Sequence, residues 1–469
     1  MMLSYFIFFI FYGIIKHNTN LIGKQHNEDE DFHCVVYKKS ALNETEAFMH
    51  INTKCIQEGY KPENGQPRVL PIYQSTTYKY DSSETLGGLF DLKTDGHMYT
   101  RISNPTFEAV EKKLAAMEGG VGAMITSSGQ AASLISILNI TSAGDNFISL
   151  SEIYGGTINL FAVTLKRLGI EVRFASSDMS DDEISAMIDD RTRAIFGETI
   201  ANPALKVLDI ERFAKLAHSA GIPLIVDNTF ATPVLCRPFE YGADIVIHSS
   251  TKYLDGHAVA VGGAIVDSGN FDWTVGGKYP ELTEPDESYH GVVYTDSFGK
   301  AAYITKARVQ LMRDLGTTPA PMNAFLLNLG METVALRMER HCANALAVAK
   351  MLSSHPAVKW VNYPGLENDS EHALAEKYLS NGASGVISFG VNGGRDAAMK
   401  FMDSLKLAGI VVHVADVRTS VLHPASTTHR QLTDEQLVAG GILPEMVRLS
   451  VGIEYIDDII ADVKQALEA

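Results

Sequence analysis

The chain has 469 residues, 46% of them hydrophobic and 20% charged, which is typical of a globular protein with a sizeable core. Its 56 acidic and 39 basic residues give a formal net charge of −17 at pH 7, with an isoelectric point near 5.3. This negative balance argues against non-specific binding to nucleic acids or anionic membranes, so any phosphate or anionic substrate requires local donors. The length is compatible with two or three domains.

The cysteines are few and scattered, with no C-x-x-C pair and no spacing suited to a metal: Cys34, Cys55, Cys236 and Cys342. Such usage in a long chain predicts free thiols and a reducing compartment, so we expect a cytoplasmic protein.

The N-terminal stretch is the exception to this composition. Residues 3–15 are almost wholly apolar, yet the run is shorter than the about 20 residues that a spanning helix needs. It resembles the apolar part of a signal peptide but lacks a preceding basic region and a small-residue cleavage site. We expect residues 1–48 to be a disordered or mis-started extension, with a weak membrane anchor as the alternative.

After a Pro-, Tyr- and Thr-rich segment at residues 68–80, helical spacing over residues 108–118 ends at two glycines. Short apolar runs then alternate with helical patterns. The predicted strands are 121–125, 146–150, 171–174, 194–198, 223–227, 244–248 and 263–266, and the predicted helices are 129–140, 157–168, 181–189 and 210–220. This alternation predicts an α/β fold with a mostly parallel sheet covered by helices, in which ligands bind beyond the carboxyl ends of the strands.

Residues 268–299 are predicted to be an irregular insertion. A long amphipathic helix at 331–352 then leads to a second region, which mixes helices with strands at 385–391 and 447–451.

Ser249, Ser250, Thr251 and Lys252 follow the predicted strand 244–248 directly. A lysine just beyond a buried strand can be partly desolvated, which lowers its pKa and makes its amine nucleophilic, while hydroxyl groups beside it can bind a phosphate. Considered alone, the motif favours a solvated strand-end lysine, since such short runs are common by chance. Whether this lysine is functional therefore depends on which residues lie at the other strand ends.

Other strand ends carry groups of complementary chemistry. The sequence Ser127-Ser128-Gly129-Gln130 follows a strand and opens a helix, which predicts an anion site, although a simple serine cap is the alternative. Asp227 ends an apolar run and could pair with a protonated pyridine nitrogen, or could instead cap a turn.

Further candidates lie away from these strand ends. Tyr154 precedes two glycines and could stack on a flat ring, or could be a turn residue. Tyr99 and Arg101 are suited to phosphate recognition, with an ordinary surface pair as the alternative. Arg448 lies inside an apolar strand, where it needs a carboxylate, either from a substrate or from an internal ion pair. The spacing of His423 and His429 suits no common metal site, and we expect no metal.

Taken together, these residues show that the sequence resembles the pyridoxal-phosphate (PLP) enzymes of Cys/Met metabolism from about residue 52 to the C-terminus. The resemblance is carried by segments 71–78, 99–106, 127–129, 198–203, 226–229, 248–252, 313–316, 341–344, 423–429 and 448–452. It implies a PLP-dependent transferase fold of the aspartate-aminotransferase type (fold type I) with a smaller α+β C-terminal domain. The implied divisions are an N-terminal arm at 49–108, a PLP-binding domain at 109–330 and a C-terminal domain at 331–469.

The resemblance also implies roles for individual residues. Lys252 would hold PLP covalently and move protons, with Tyr154 as its catalytic partner stacked on the ring. The remaining implied cofactor contacts are Asp227 on the pyridine nitrogen, Asn202 on the ring hydroxyl, and Ser128, Gly129, Gln130, Ser249 and Thr251 on the phosphate. Tyr99 and Arg101 would complete the phosphate site from a neighbouring subunit, so a homo-oligomer, usually a tetramer, is implied. Arg448 would bind the substrate carboxylate.

Within this family the sequence resembles the O-acetylhomoserine sulfhydrylases. The insertion at 271–299, the segment 308–316 and Arg418, a further substrate-binding candidate, carry that resemblance. His413 and Ala415 depart from the expected Asn or Ser and Gly. The implied activity is replacement of the γ-acetyl group of O-acetyl-L-homoserine by sulfide or a small thiol, giving L-homocysteine and acetate in methionine and cysteine biosynthesis. Methionine γ-lyase and cystathionine γ-synthase activities are the near alternatives, and a non-catalytic PLP-binding scaffold is the distant one.

Overall fold

A computed structural model describes residues 49–427, residue 430 and residues 442–469. The predictions made for residues 1–48 and for His429 lie outside the described residues.

A seven-stranded sheet forms the centre of the larger part of the fold, in the order β1-β7-β6-β5-β4-β2-β3. Its strands are β1 (Gly122–Thr126), β2 (Asn146–Leu150), β3 (Glu171–Ala175), β4 (Thr192–Glu198), β5 (Leu224–Asp227), β6 (Ile245–His248) and β7 (Gly263–Asp267). Strands β2 to β6 pair in parallel, whereas β7 runs antiparallel to both β1 and β6. The prediction of a mostly parallel sheet is confirmed.

The sheet is buried because its central strands are short apolar runs rich in β-branched residues. In β5 and β6, Ile225, Val226, Ile245, Val246 and Ile247 have no solvent exposure. Such strands need cover on both faces, which the intervening helices supply. Because β4, β5 and β6 pair in parallel, their carboxyl ends meet at one edge of the sheet.

The helices follow the predicted order, with shifts at their ends. In chain order the α-helices are α1 (Ile51–Gln57), α2 (Ser83–Phe90), α3 (Pro105–Glu118), α4 (Gly129–Leu138), α5 (Gly155–Asn159), α6 (Asp181–Ser185), α7 (Ile210–Ser219), α8 (Thr232–Leu235), α9 (Pro280–Thr283), α10 (Tyr294–Phe298), α11 (Ala302–Lys306), α12 (Arg313–Leu315), α13 (Pro321–Ser353), α14 (His372–Tyr378), α15 (Gly394–Ser404) and α16 (Ile456–Leu467).

Two predicted elements differ from the observed ones. The helix predicted at 157–168 begins earlier, as α5, and continues as π-helical turns over Leu160–Leu165. The helix predicted at 331–352 begins at Pro321, and the predicted domain boundary after residue 330 falls inside it. A Cβ atom at Gly330 would lie 2.3 Å from the carbonyl oxygen of Asp255, so this glycine lets the helix pack closely on the loop that follows β6.

A second, five-stranded sheet has the order β10-β11-β12-β9-β8. Its strands are β8 (Val358–Asn362), β9 (Val386–Val391), β10 (Gly409–Ile410), β11 (Ser420–Leu422) and β12 (Met446–Ser450). Helix α13 connects the two sheets by side-chain hydrogen bonds. The guanidinium of Arg337 donates to the carbonyl of Tyr253 at 2.7 Å, and Nδ1 of His341 lies 2.7 Å from the carbonyl oxygen of Val451. The helix thus fixes β12 relative to the end of β6.

No helix in the described ranges is long and apolar enough to cross a membrane.

Candidate active site

Several of the predicted site residues lie at the carboxyl edge of the larger sheet. Asp227 is the last residue of β5, and its register partners are Glu198 in β4 and Ile247 in β6. Ser249 follows β6, and its backbone N–H donates to the hydroxyl of Thr229 at 2.8 Å, which joins the turns after β5 and β6. Neighbouring strand ends thus present their polar residues to one cleft, as expected for an open α/β sheet.

Ser128 is the N-cap of α4, and its hydroxyl accepts a hydrogen bond from the backbone N–H of Ala131 at 3.1 Å. A Cβ atom at Gly129 would lie 2.6 Å from the Cβ atom of Ser249, so only glycine allows this close approach. The Oε1 atom of Gln130 is buried without a hydrogen-bond partner among the described residues. The free backbone N–H groups of the helix N-terminus and the close approach of Gly129 to Ser249 suit an anion between α4 and Ser249. The Gln130 oxygen can only accept hydrogen bonds, so a phosphate contact by Gln130 would come from its side-chain nitrogen or its backbone N–H and stays a prediction.

Thr251, for which the resemblance implies a phosphate contact, has its hydroxyl directed to the backbone of Gly262. Its hydroxyl lies 3.0 Å from both the carbonyl oxygen and the backbone nitrogen of Gly262. These contacts close the loop that leads into β7, so a phosphate contact by Thr251 stays a prediction.

Lys252 lies in the turn after β6, partly buried. Burial, followed by the positive charge of Arg448, lowers the pKa of its amine to about 8, while Asp416 acts in the opposite direction. Among the described residues, its amine donates no hydrogen bond to another side chain. An amine with a lowered pKa and no side-chain partner is suited to nucleophilic and proton-transfer chemistry.

Asp227 presents a carboxylate across the same cleft. Burial raises its pKa above the ordinary value, whereas the hydrogen bonds from the backbone and hydroxyl of Thr229 and the nearby His248 lower it. Among the described residues, no lysine or arginine forms an ion pair with it. A cationic ring placed against Asp227 would keep the carboxylate ionised.

Glu198 was not assigned a role from the sequence, although its segment was recognised. It is 7% exposed. Its Oε1 atom accepts from the backbone N–H of Tyr154 at 2.7 Å, and its Oε2 atom accepts from the backbone N–H of Asn202 at 3.2 Å. A charged residue ending the apolar strand 194–198 was the signal that could have identified it.

Arg448 brings the smaller sheet to the cleft. It is 5% exposed in β12, and its guanidinium donates to the Oδ1 atom of Asn202 at 3.1 Å and to the carbonyl of Val412 at 3.4 Å. Its Nε atom is buried without a partner, and burial lowers its pKa to about 10. Because no carboxylate in the described ranges forms an ion pair with it, the internal-pair alternative is disfavoured and a substrate carboxylate suits it.

Arg418 is directed to other partners. Its guanidinium contacts the Oδ1 atom of Asp416 at 3.1 Å and the carbonyl oxygen of His257 at 2.9 Å, and its side chain is 64% exposed. A substrate contact by Arg418 stays a prediction.

Tyr154 and Tyr99 are the most exposed aromatic candidates, at 44% and 41%. Tyr154 immediately precedes α5, and its ring packs within 2.5 Å of where a Cβ atom at Gly156 would lie. The guanidinium of Arg101 lies 5.2 Å from the centre of the Tyr99 ring and donates to the carbonyl of Arg313. In the described part of one chain, no hydrogen bond joins Tyr99 or Arg101 to the strand-end residues.

His413 and Ala415, the two departures from the expected pattern, lie beside the site. The Nε2 atom of His413 is buried without a hydrogen-bond partner among described residues, and it lies 3.9 Å from Asp416. Burial and the charge of Lys252 lower the pKa of His413, which favours the neutral form of its ring. Ala415 has φ +68°, a conformation in which glycine is favoured.

A buried network lies behind the strand ends. The Oε1 atom of Glu118 contacts Nε2 of His248 at 2.7 Å and accepts from the side-chain amide of Asn228 at 3.0 Å. Since His248 precedes Ser249 and Asn228 follows Asp227, this network holds two site-bearing turns together. Sequence periodicity alone could not have paired these residues.

Comparison with known proteins agrees with this geometry. Residues 52–468 match the family described as Cys/Met metabolism PLP-dependent enzyme. The chain is 48% identical to a homocysteine synthase of Schizosaccharomyces pombe over 422 residues, which covers 89% of this chain and 98% of that protein. It is also 48% identical to O-acetyl-L-homoserine sulfhydrylase 1 of Thermus thermophilus, covering 89% of this chain and 100% of that protein.

A solved structure shows the same fold. A Campylobacter jejuni protein assigned as an O-acetylhomoserine (thiol)-lyase, crystallised with N'-pyridoxyl-lysine-5'-monophosphate, superposes with a TM-score of 0.87 at 38% identity. The match covers 90% of this chain and 100% of that one. The predicted fold type I architecture is therefore confirmed, and the chain belongs to the Cys/Met metabolism PLP-dependent enzyme family.

Proposed function

We propose that this chain is an O-acetylhomoserine sulfhydrylase, which converts O-acetyl-L-homoserine and sulfide to L-homocysteine and acetate. The observation that carries the proposal is the convergence of Lys252, Asp227 and Arg448 on one cleft. The names of the relatives, which are homocysteine synthases and O-acetylhomoserine sulfhydrylases, support the choice of substrates.

The residues of the cleft fit PLP. The N-terminus of α4 and the close contact of Gly129 with Ser249 suit the phosphate, to which the side-chain NH2 group of Gln130 would donate. Asp227 suits the pyridine nitrogen, and the exposed ring of Tyr154 suits stacking. When bound, PLP supplies an electron-withdrawing ring that stabilises negative charge developing on the substrate.

Lys252 would hold the cofactor, and its free amine would move protons on the substrate. Its pKa of about 8 makes the neutral fraction near neutral pH far larger than that of an ordinary lysine, which favours a role as general base. Tyr154, in the loop after β2, would pack on the ring. Asn202 would contact the ring hydroxyl, and it also orients Arg448, because its side-chain oxygen accepts from that guanidinium.

Arg448 binds the α-carboxylate of the amino acid and thereby places the reacting carbons beside Lys252. A guanidinium forms paired hydrogen bonds with a carboxylate, which fixes orientation as well as affinity. Arg418 is proposed as a second contact on the substrate. In the overall reaction the bond between the γ-carbon and the acetate oxygen breaks, a bond from the γ-carbon to sulfur forms, and one proton passes from hydrogen sulfide to acetate.

The active enzyme is proposed to be a homo-oligomer, a tetramer of two dimers. The exposure of Tyr99 and the absence of hydrogen bonds from Tyr99 and Arg101 to the strand ends within the described chain support their use on a neighbouring subunit's phosphate. A cytoplasmic location is proposed as well, which the three buried free thiols Cys55, Cys236 and Cys342 support.

A substrate panel on the purified protein tests the function. O-acetyl-L-homoserine with sulfide is expected to give homocysteine. Ammonia and a keto acid without added sulfide would instead favour a γ-lyase, and product from succinyl-homoserine with cysteine would favour a cystathionine γ-synthase. A PLP-bound protein inactive with all of these substrates would indicate the scaffold alternative.

A further inference from the structure

Glu198 is a buried carboxylate that the proposed chemistry does not use directly. It ends β4 beside Asp227 of β5, with which it is in register, and it is 7% exposed. Among the described residues, no lysine or arginine forms an ion pair with it. Burying a carboxylate in this setting is unfavourable unless hydrogen bonds compensate.

Two backbone N–H groups supply that compensation, and both belong to residues of the cleft. One oxygen accepts from Tyr154 at 2.7 Å, in the loop after β2, and the other accepts from Asn202 at 3.2 Å, in the turn after β4. The carboxylate therefore bridges the loop after β2 and the turn after β4, beyond the point where these two paired strands end.

The effect of the bridge extends to Arg448. The side-chain oxygen of Asn202, whose backbone Glu198 holds, accepts from the Arg448 guanidinium at 3.1 Å. One carboxylate thus holds the backbone of Tyr154, which would stack on the cofactor ring, and of Asn202, which would contact the ring hydroxyl and which orients the arginine.

We propose that Glu198 is a positioning residue, which orders the cofactor contacts Tyr154 and Asn202 by bridging their backbone N–H groups. The inference rests on the proposed function for the identity of the substrate, but not for the binding of the cofactor. Both carboxylate oxygens are required, because the amide of glutamine would direct N–H hydrogens at one of the two backbone N–H donors. Burial and the neighbouring Asp227 raise the pKa of Glu198. The ionisation of Glu198, and with it the strength of its two hydrogen bonds, therefore depends on the charge of Asp227.

Glu152 provides a matched control in the same loop region. Its Oε1 atom accepts from the hydroxyl of Ser176 at 2.8 Å, and its Oε2 atom accepts from the backbone N–H of Ser177 at 3.2 Å. It is therefore a bridging carboxylate of the same kind, but its partners follow β3 and lie outside the group of cleft residues.

The test compares Glu198→Gln with Glu152→Gln by titrating each apoprotein with PLP and recording the visible circular dichroism of the bound cofactor. We expect Glu198→Gln to bind PLP about ten-fold more weakly, the effect of one lost buried hydrogen bond, with a weaker dichroic band and a higher KM for O-acetyl-L-homoserine. Glu152→Gln is expected to keep wild-type PLP affinity and dichroism. A Glu198→Gln protein with a lowered melting temperature but wild-type PLP affinity and dichroism would show a merely structural role and overturn the proposal.

Glu198→Asp keeps the test decisive if the glutamine variant does not fold. It retains the charge but is too short to reach both loops, so we expect weakened PLP binding here too, and wild-type affinity would contradict the bridge. The outcome is separable from the proposed function, because a wild-type protein that binds PLP but forms no homocysteine would refute the function while leaving the PLP titrations interpretable.

Discussion

Glu198 and Asp227 are register partners at the carboxyl ends of β4 and β5, so two carboxyl groups lie side by side at the edge of the sheet. Burial raises the pKa of each, and the charge of Asp227 raises that of Glu198 further. Two adjacent carboxyl groups without an arginine or lysine partner among the described residues favour a cation placed against them. The protonated ring of PLP is such a cation.

Asp227→Asn should therefore lower kcat strongly, by about a hundred-fold or more, since the neutral amide no longer holds the ring protonated. Asp227→Glu keeps the charge and should be less impaired. The check is steady-state kinetics together with the absorption spectrum of the bound cofactor at several pH values. Equal kcat values for the wild type and Asp227→Asn would contradict the assignment.

Lys252 is distinguished from another buried lysine by its surroundings. The pKa of Lys306 is also lowered to about 8, yet its amine donates to the carbonyl of Asn139 at 3.1 Å and is already engaged. Borohydride reduction of the PLP-bound protein, followed by peptide mapping, should therefore place the pyridoxyl group on Lys252 and not on Lys306. Lys252→Ala should lose the reducible linkage and activity together. A variant that keeps both would overturn the assignment.

The pKa of Lys252 also predicts a pH dependence. In the folded protein this amine loses its proton near pH 8, compared with an ordinary value of 10.5, so the rate of PLP capture by the apoprotein should rise with pH and level off above about pH 8. Between these values the unfolded chain binds the additional proton, so the contribution of Lys252 to folding stability becomes more favourable as pH rises through this window.

Removal of a nearby charge should move this midpoint. Arg448→Met removes the cation that helps lower the pKa of Lys252, so the midpoint for PLP capture should shift to higher pH. Arg340→Met, at an exposed position of helix α13, serves as the control and should leave it unchanged. Stopped-flow absorbance of apoprotein mixed with PLP measures both, and a shift to lower pH in Arg448→Met would contradict the electrostatic argument.

Arg448 should determine affinity for the amino acid but not for sulfide. Arg448→Lys cannot form the paired hydrogen bonds, so the KM for O-acetyl-L-homoserine should rise about ten-fold or more, with little change in the KM for sulfide. Arg340 is the control, because it lies at an exposed position of helix α13. Arg340→Lys should leave both KM values unchanged.

Ala415 predicts a gain in stability. Its φ of +68° is unfavourable for an alanine by about 1–2 kcal/mol, and glycine removes this strain. Part of the gain is lost, because glycine also increases the conformational entropy of the unfolded chain. Ala415→Gly should therefore raise the free energy of unfolding by about 0.5–1 kcal/mol. Ala408→Gly, at a buried position outside the positive-φ set, should lower it. Thermal melts of the two variants decide between these signs.

The elements and the strand-end residues could be predicted from the sequence because both follow from short-range patterns. Apolar runs of strand length predicted β5 and β6, and the polar residues that end these runs, Asp227 and Ser249 to Lys252, lie at the ends of the two strands. The N-terminus of α4 was predicted for the same reason, since a cap and a glycine are local signals. The roles of these residues came from the family resemblance, because hydrophobic periodicity predicts only where strands and helices lie.

Only the tertiary structure decided which distant residues meet. Arg448 contacts Asn202 across 246 positions, and Glu198 contacts the loop of Tyr154, because the order of strands in two sheets places their ends together. The hydroxyl of Thr251 donates to the carbonyl of Gly262, a contact that the sequence pattern did not predict. Local periodicity reports how one segment buries its own apolar face, whereas these contacts depend on the register between strands and on the helix α13 that joins the two sheets.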